Sequence, residues 1–365
     1  MPVRPITIEE ALAGAEGLQR FDSVIDARSP GEFALDHLPG AVNWPALDDE
    51  ERRLVGTEYK QVSAFEARKR GAVLVARNIA RHLEREAPAL ARDWRPLVYC
   101  WRGGQRSGAL ALVLGQVGFD VQVLTGGYRA FRRRVVDALQ TAGTDLSLRL
   151  ICGRTGSGKS RLLQALSAQG AQVLDLEALA AHRGSVLGAR PDAPQPSQKQ
   201  FETRLWQALQ AFDRQGPVFV ESESRLIGRL RVPEALLQHM RAAPCLQVDM
   251  PVAARVQLLM QDYAHFAQDP LLLCQRLDSL RQVRGHAMVE QWQTAIRQGR
   301  LDEAVAQLLR EHYDPIYQRS MERNFAQFDA APRLSVRSGA AADLSAAAMQ
   351  ALDLYPIKPS AAVTS

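Results

Sequence analysis

Two short loops hold the residue types able to do chemistry. The first reads Tyr99-Cys-Trp-Arg-Gly-Gly-Gln-Arg-Ser-Gly108. Its thiol, Cys100, follows the apolar run Pro96-Leu-Val-Tyr99 and precedes a Gly-rich, Arg-bearing turn and the helical pattern Gly108–Leu114. A strand, a tight loop and a helix start, in that order, predict a ring of backbone N–H groups facing the sulfur. Those groups, the helix N-terminus and Arg106 all favour thiolate over thiol. A cysteine so placed is expected to attack an electrophile or to carry a transferred group.

The second loop is Gly153-Arg154-Thr155-Gly156-Ser157-Gly158-Lys159-Ser160. It matches the G-x-x-x-x-G-K-S phosphate loop at every fixed position. The context is also right, with the apolar strand pattern Leu146–Ile151 before it and the helical pattern Arg161–Leu166 after it. Glycines let the backbone turn its N–H groups inward on phosphate oxygens. Lys159 is expected on the terminal phosphate, and Ser160 is placed for Mg²⁺ if a metal accompanies the diphosphate. The loop specifies a diphosphate, not the molecule that carries it.

Further polar residues cluster in this half. Glu221-Ser222-Glu223-Ser224-Arg225 directly follows the apolar run Val218–Val220. Strand ends carry ligands in open α/β sheets, so Glu221, Ser222, Glu223 and Arg225 are expected at a substrate site. Asp175, ending another strand, reads either as a metal-side carboxylate or as a helix cap. His182-Arg-Gly-Ser-Val-Leu-Gly188 is a polar, glycine-punctuated loop, and Tyr313-Asp-Pro-Ile-Tyr317 reads either as a helix-ending turn or as part of a site.

The elements that must position these loops can be read from periodicity. Strand patterns at 23–26, 97–99 and 121–124 alternate with helical spacing such as Arg77–Leu83, which predicts a parallel α/β sheet. The pattern breaks at Thr141–Asp145, as a linker would, and resumes with strands at 146–151, 172–175, 218–220 and 246–249. Residues 252–330 are mostly helical and Arg-rich. These features divide the chain into a domain over 5–140, a phosphate-loop domain over 146–250, its helical extension over 251–330 and a partly flexible tail over 331–365.

The 365 residues are 46% hydrophobic and 23% charged, an ordinary balance for a globular protein. No apolar run approaches the ~18 residues of a membrane span. The first residues lack an apolar signal core, so a cytoplasmic location is expected. Cys100, Cys152, Cys245 and Cys274 have neither metal-ligand spacing nor a disulfide framework. Net charge is +5, and only five of the 45 basic residues are lysine. Arg forks suit phosphate oxygens, and the densest patch is Arg129, Arg132, Arg133 and Arg134.

From Cys100 to Arg106 the spacing is Cys-x5-Arg. Two chemistries fit: a persulfide-carrying sulfurtransferase of the rhodanese type, and a phosphatase whose thiolate attacks phosphorus. Asp26-Ala-Arg28-Ser-Pro-Gly-Glu32-Phe, His37-Leu-Pro-Gly40-Ala-Val-Asn43 and Gly126-Gly127-Tyr128 resemble the rhodanese domain over about residues 5–137. The usual rhodanese loop is one residue shorter, and the longer loop is that of the rhodanese-fold phosphatases.

Joined to the phosphate loop, to His182-Arg-Gly-Ser and to Glu221-Ser-Glu-Ser-Arg225, this region makes the chain resemble the tRNA 2-selenouridine synthase family over about residues 5–330. The resemblance implies a rhodanese-like parallel-sheet domain, then a P-loop NTPase-like α/β domain with a helical extension. It implies replacement of sulfur by selenium in wobble 2-thiouridine of tRNA. The co-substrates implied are selenophosphate and geranyl diphosphate, the latter making an S-geranyl intermediate. On that reading Cys100 takes selenium as a selanyl-sulfide, and Arg102, Gly103, Gly104, Arg106 and Ser107 hold selenophosphate. Residues 153–160 hold the diphosphate of the geranyl donor. The alternative is an ATP-dependent P-loop kinase or ligase with a regulatory sulfurtransferase domain.

Overall fold

A computed structural model describes residues 3–14, 16–185, 187–190 and 193–357. Val186 of the polar loop and the last residues of the tail, 358–365, lie outside the described residues. The chain divides into two compact units. One comprises Met1–Leu139 with Pro196–Gln207, and the other Gln140–Gln195 with Ala208–Ser365.

The first unit is built on strands β1 (Arg4–Ile6), β2 (Ser23–Asp26), β3 (Ala41–Asn43), β4 (Pro96–Tyr99) and β5 (Gln122–Leu124). They form one sheet in the order β1-β5-β4-β2-β3, with every pairing parallel. β4 is buried at all four positions, as a central parallel strand covered on both faces must be. Its Val98 joins Ile25, Leu110, Leu114 and Trp94 in one core. The helix Gln105–Val117 leaves the end of β4 through the thiol loop, and the helix Gly127–Leu139 follows β5.

Two segments were not readable from local pattern. Pro196–Gln207, expected within the phosphate-loop domain, belongs to the first unit. Thr203 Oγ1 lies 3.1 Å from Asp36 Oδ2, Glu202 pairs with Arg132, and Trp206 meets Phe131 edge-on at 5.6 Å. So Arg132 is bound within the unit, while Arg129, Arg133 and Arg134 are exposed.

The second unit carries β6 (Ser147–Gly153), β7 (Gln172–Leu174), β8 (Pro217–Glu221), a small hairpin of β9 (Leu226–Ile227) and β10 (Leu230–Arg231), β11 (Cys245–Asp249) and β12 (Arg333–Ser335). The main sheet runs β12-β11-β6-β8-β7, again all parallel. The tail expected to be partly flexible supplies the edge strand β12 and the helix Ala341–Leu354. Its richness in Ala, Ser and Pro reads as a frayed end, but Leu344, Ala347, Ala348 and Ala351 recur at helical spacing. They bury against Leu162, Leu163 and Leu166 of the helix Lys159–Ala168. Helices from Val252 to Asn324 enclose a further core around Trp292.

The conspicuous polar group in the first core is an ion pair. Asp26, fully buried at the end of β2, takes the Arg28 guanidinium in a fork, with Nε 3.0 Å and Nη2 2.6 Å from its oxygens. Arg28 also donates to Asp36 O and lies 3.9 Å from the Tyr128 ring centroid. Asn43 Nδ2 closes the turn on the Asp26 and Arg28 carbonyls, each at 2.9 Å. The Asp-x-Arg motif is thus a brace inside the fold. Arg28→Ala leaves Asp26 buried without its cation. We expect a loss of about 3–5 kcal/mol from the first unit's unfolding free energy in urea; a loss within ~0.5 kcal/mol, as at an ordinary surface position, would contradict the assignment.

Candidate functional site

The thiol loop is held in place by two backbone approaches closer than side chains allow. Gly103 has φ +68°, and a Cβ there would lie 2.4 Å from Leu124 O. A Cβ on Gly127, at φ +55°, would lie 2.2 Å from Cys100 O. In place of those side chains, Tyr128 N–H donates to Cys100 O at 2.8 Å and Arg129 N–H to Trp101 O at 3.1 Å. Gly127 was legible as part of a Gly-Gly signature, but its close contact with the nucleophile's carbonyl was not.

Cys100 is 4% exposed. Its sulfur lies 3.3 Å from Gly104 N–H and 3.1 Å from Ser107 Oγ. Burial alone pushes this thiol up. The Ser107 hydroxyl and N–H, the Gly104 N–H and the Arg106 charge outweigh burial and bring it below an ordinary cysteine. Arg106 is anchored in turn, with Nη1 2.7 Å from Glu32 Oε2. Burial works to raise Glu32, but Arg106 and Arg52 hold its carboxyl down at about 2. An anion over the loop therefore meets N–H groups first and competes with Glu32 for Arg106. Gly104 has open space around it, and Arg102 is exposed at the rim.

The phosphate loop joins β6 to the helix Lys159–Ala168. Gly156 and Gly158 have φ +78° and +80°, which suits glycine. Arg255, 1% exposed, donates to Thr155 O at 2.9 and 2.7 Å and pairs with Asp314 at 2.6 Å, so it locks the loop to two helices. Lys159 Nζ folds back on Gly153 O at 2.6 Å, over the Tyr317 ring, and Tyr317 OH accepts the Gly153 N–H. Ser157 Oγ is buried without a partner. The Tyr313–Tyr317 segment thus belongs to a site, inside a helical stretch rather than at a turn.

Thr155 to Ser160 line a cavity of about 830 Å³. Glu223, Ser222, Arg225 and His182 are on its wall, as are Asp175 and the unanticipated Glu177. Gly153 and Arg154 face a different cavity of about 190 Å³, with Asp249 and Arg333. Asp175 caps the helix Leu176–Ala180, its Oδ1 accepting the Ala178 N–H at 2.7 Å. Ser160 Oγ donates to Glu177 Oε2 at 2.8 Å, and Glu177 N–H donates to Glu221 Oε1 at 2.8 Å. Glu177 was visible as an acid two residues past a strand end, the same signal that drew notice to Asp175. Ser160 beside Glu177 is what the loop offers a divalent ion. Among the described residues no three His, Cys, Asp or Glu side chains converge as metal ligands.

The acids are crowded and largely dry. Burial, then Asp175, Glu223 and Glu177, push Glu221 well above the carboxylate range, and its Oε2 has no partner. Glu223 is raised to about 8, by burial first and by Glu177 second, with Lys159 opposing. Gly184 fits because a Cβ there would lie 2.8 Å from Glu177 and 2.9 Å from Glu223. Neutral Glu223 admits a phosphate anion, whereas ionised Glu223 repels it. Pyrophosphate affinity is therefore expected below about pH 8, with a fall as pH rises through that value. Glu223→Gln should remove this fall; calorimetric titrations on both sides of that pH that fall in parallel for the two proteins would contradict it.

A family model described as the tRNA 2-selenouridine synthase AAA domain matches residues 146–272, and a rhodanese-like domain model matches residues 7–134. The chain is 40% identical over 244 residues to a tRNA 2-selenouridine synthase of Nitrosomonas europaea, a match spanning 66% of this chain and 63% of that one. It is 32% identical over 332 residues to a tRNA 2-selenouridine synthase of Alcanivorax borkumensis, spanning 82% of this chain and 90% of its relative. A crystal structure of a rhodanese-related protein from Thermoplasma volcanium aligns over 36% of this chain and 92% of its own, at 19% identity and TM-score 0.24. Both loops fall inside the matched domains and the Alcanivorax match takes in nearly all of that relative, so the chain belongs to the tRNA 2-selenouridine synthase family.

Proposed function

We propose that this chain replaces sulfur by selenium at wobble 2-thiouridine of tRNA in two steps, one at each loop. The phosphate loop takes geranyl diphosphate and alkylates the thiocarbonyl sulfur. The thiol loop takes selenophosphate and supplies selenium to carbon 2, from which geranylthiol departs. The relatives' name supports the overall conversion. The two co-substrates are those that the family resemblance implies.

One observation carries the choice of diphosphate. Thr155, Leu259, Tyr263 and Tyr313 line the loop's cavity and also wall an apolar chamber of about 60 Å³, with Phe266, Leu301 and Leu308 among its lining. The chamber has room for the end of an isoprenoid chain, whose remainder would lie in the larger cavity. A nucleoside offers polar edges that this wall does not match. Glu221 ends the neighbouring strand β8, where burial among other acids pushes its carboxyl well up and disfavours it as a ligand for a nucleotide's metal.

The chemistry follows from charge. A thiocarbonyl sulfur leaves carbon poorly, and alkylation turns it into a thiol leaving group. Carbon–oxygen cleavage in the donor builds negative charge on the departing diphosphate, where the loop N–H groups and Lys159 oppose it. At the other loop, electron counting separates the two thiol chemistries that the sequence leaves open. Attack of the Cys100 thiolate on selenium makes a selanyl-sulfide but expels phosphorus as phosphite. Attack on phosphorus breaks the P–Se bond, releases hydrogen selenide as the nucleophile for carbon 2, and leaves an S-phosphocysteine that water converts to phosphate. We favour attack on phosphorus, because Cys-x5-Arg is the phosphatase spacing and Ser107 stands 3.1 Å from the sulfur that must leave.

Two outcomes test the reading. Cys100→Ala should abolish 2-selenouridine but still form S-geranyl-2-thiouridine from geranyl diphosphate, whereas Lys159→Ala should lower geranylation by about 10²-fold or more. Nucleoside mass spectrometry reads both; equal loss of both products in both variants would contradict the division of labour. Phosphorus NMR of the spent donor should show orthophosphate, and phosphite would restore the selanyl-sulfide route.

A further inference from the structure

The chain has five tryptophans. Trp44, Trp94, Trp206 and Trp292 are at most 7% exposed, whereas Trp101 keeps 36% of its surface in solvent. It is the residue next to the nucleophile, at the rim of the thiol loop. Its ring is ordered, not loose. Tyr128 packs against it at 5.4 Å with a 33° tilt, and the Lys199 ammonium lies 5.9 Å from its centroid. Its carbonyl is tied to Arg129 N–H at 3.1 Å. Arg102, Arg129 and Lys199 are themselves exposed.

We propose that Trp101 is a stacking platform for a nucleobase of the RNA substrate, held over the Cys100 loop. The proposal rests on reading the chain as a tRNA-modifying enzyme and adds the residue that receives the base. An aromatic ring among cations suits single-stranded nucleic acid, whose bases stack on the ring while its phosphates meet the charges. A purely apolar partner would strand those cations, which disfavours it here. Carbon 2 of a pyrimidine is shielded while the base stays stacked in its strand. Reaction beside the buried sulfur requires the base to be splayed out, which forfeits stacking on its neighbours. An indole at the loop's rim restores that stacking at the place where the chemistry occurs. Because Tyr128 and the Gly103–Gly127 contact fix the rim beforehand, little ordering remains for binding to do.

The isolated exposure of Trp101 makes the test direct. The full chain is titrated with an anticodon stem-loop RNA containing 2-thiouridine while tryptophan emission and filter binding are followed together. Emission should quench in step with binding. Trp101→Phe should lose the quench yet bind within about twofold, since phenylalanine still stacks. Trp101→Ala should weaken binding about fivefold or more, the loss expected for one base–aromatic stack. Its Cys100 should alkylate with iodoacetamide at the wild-type rate, showing that the loop is intact. RNA binding without quench, or an alanine variant that binds and selenates like wild type, overturns the proposal while leaving the enzyme reading in place. If the stem-loop does not bind and wild type forms no 2-selenouridine, the enzyme reading fails and takes the proposal with it.

Discussion

The absence of two Cβ atoms governs the thiol site. Gly103 and Gly127 let the loop after β4 and the turn after β5 come within backbone hydrogen-bonding distance of each other. That contact fixes the Cys100 carbonyl from one side while Gly104 and Ser107 fix its sulfur from the other. Everything chemical about the thiol follows from this position. It lies at a helix start, under N–H donors, and its burial would suppress ionisation were those donors not in place. The buried Asp26–Arg28 brace and the Glu32–Arg106 pair serve the same end, since they set the walls against which the loop is formed.

The second site solves the opposite electrostatic problem. A phosphate loop must gather positive potential, yet this one is walled by Asp175, Glu177 and Glu223. Burial offers the resolution. In a dry setting a carboxyl keeps its proton in preference to standing unpaired beside another acid. Glu221 and Glu223 are raised, Glu177 is raised less and is occupied with Ser160, and Lys159 stays on the loop. Arg255 contributes rigidity instead of charge at the ligand, because its guanidinium is spent on Thr155 O and Asp314.

How much of this was legible in the sequence depended on whether a feature is local. Both loops announce themselves because strand, glycine turn and helix start are adjacent in the chain. The central strands β4 and β8 were equally plain, being short apolar runs. What could not be read was anything settled by distant partners. The Asp26-x-Arg28 motif reads only as part of a rhodanese-like signature until its fork is seen to close on itself. Pro196–Gln207 carries no mark of the unit it joins, since its anchors, Asp36, Phe131 and Arg132, lie far earlier in the chain. Residues 341–354 read as a small-residue tail, although their alanines are the narrow face that a close helix pairing requires. Tyr317 was noticed only as one of a pair of tyrosines, because its bond to Gly153 spans more than a hundred residues.

The two loops together are proposed to run an ordered pair of reactions on one nucleotide. That order is tested most directly by a time course of tRNA nucleosides, read by mass spectrometry. The full chain would be given 2-thiouridine tRNA and selenophosphate, with and without geranyl diphosphate. With both donors S-geranyl-2-thiouridine should rise first and fall as 2-selenouridine accumulates, and without geranyl diphosphate neither should form. Formation of 2-selenouridine at an undiminished rate in the absence of geranyl diphosphate would contradict that order.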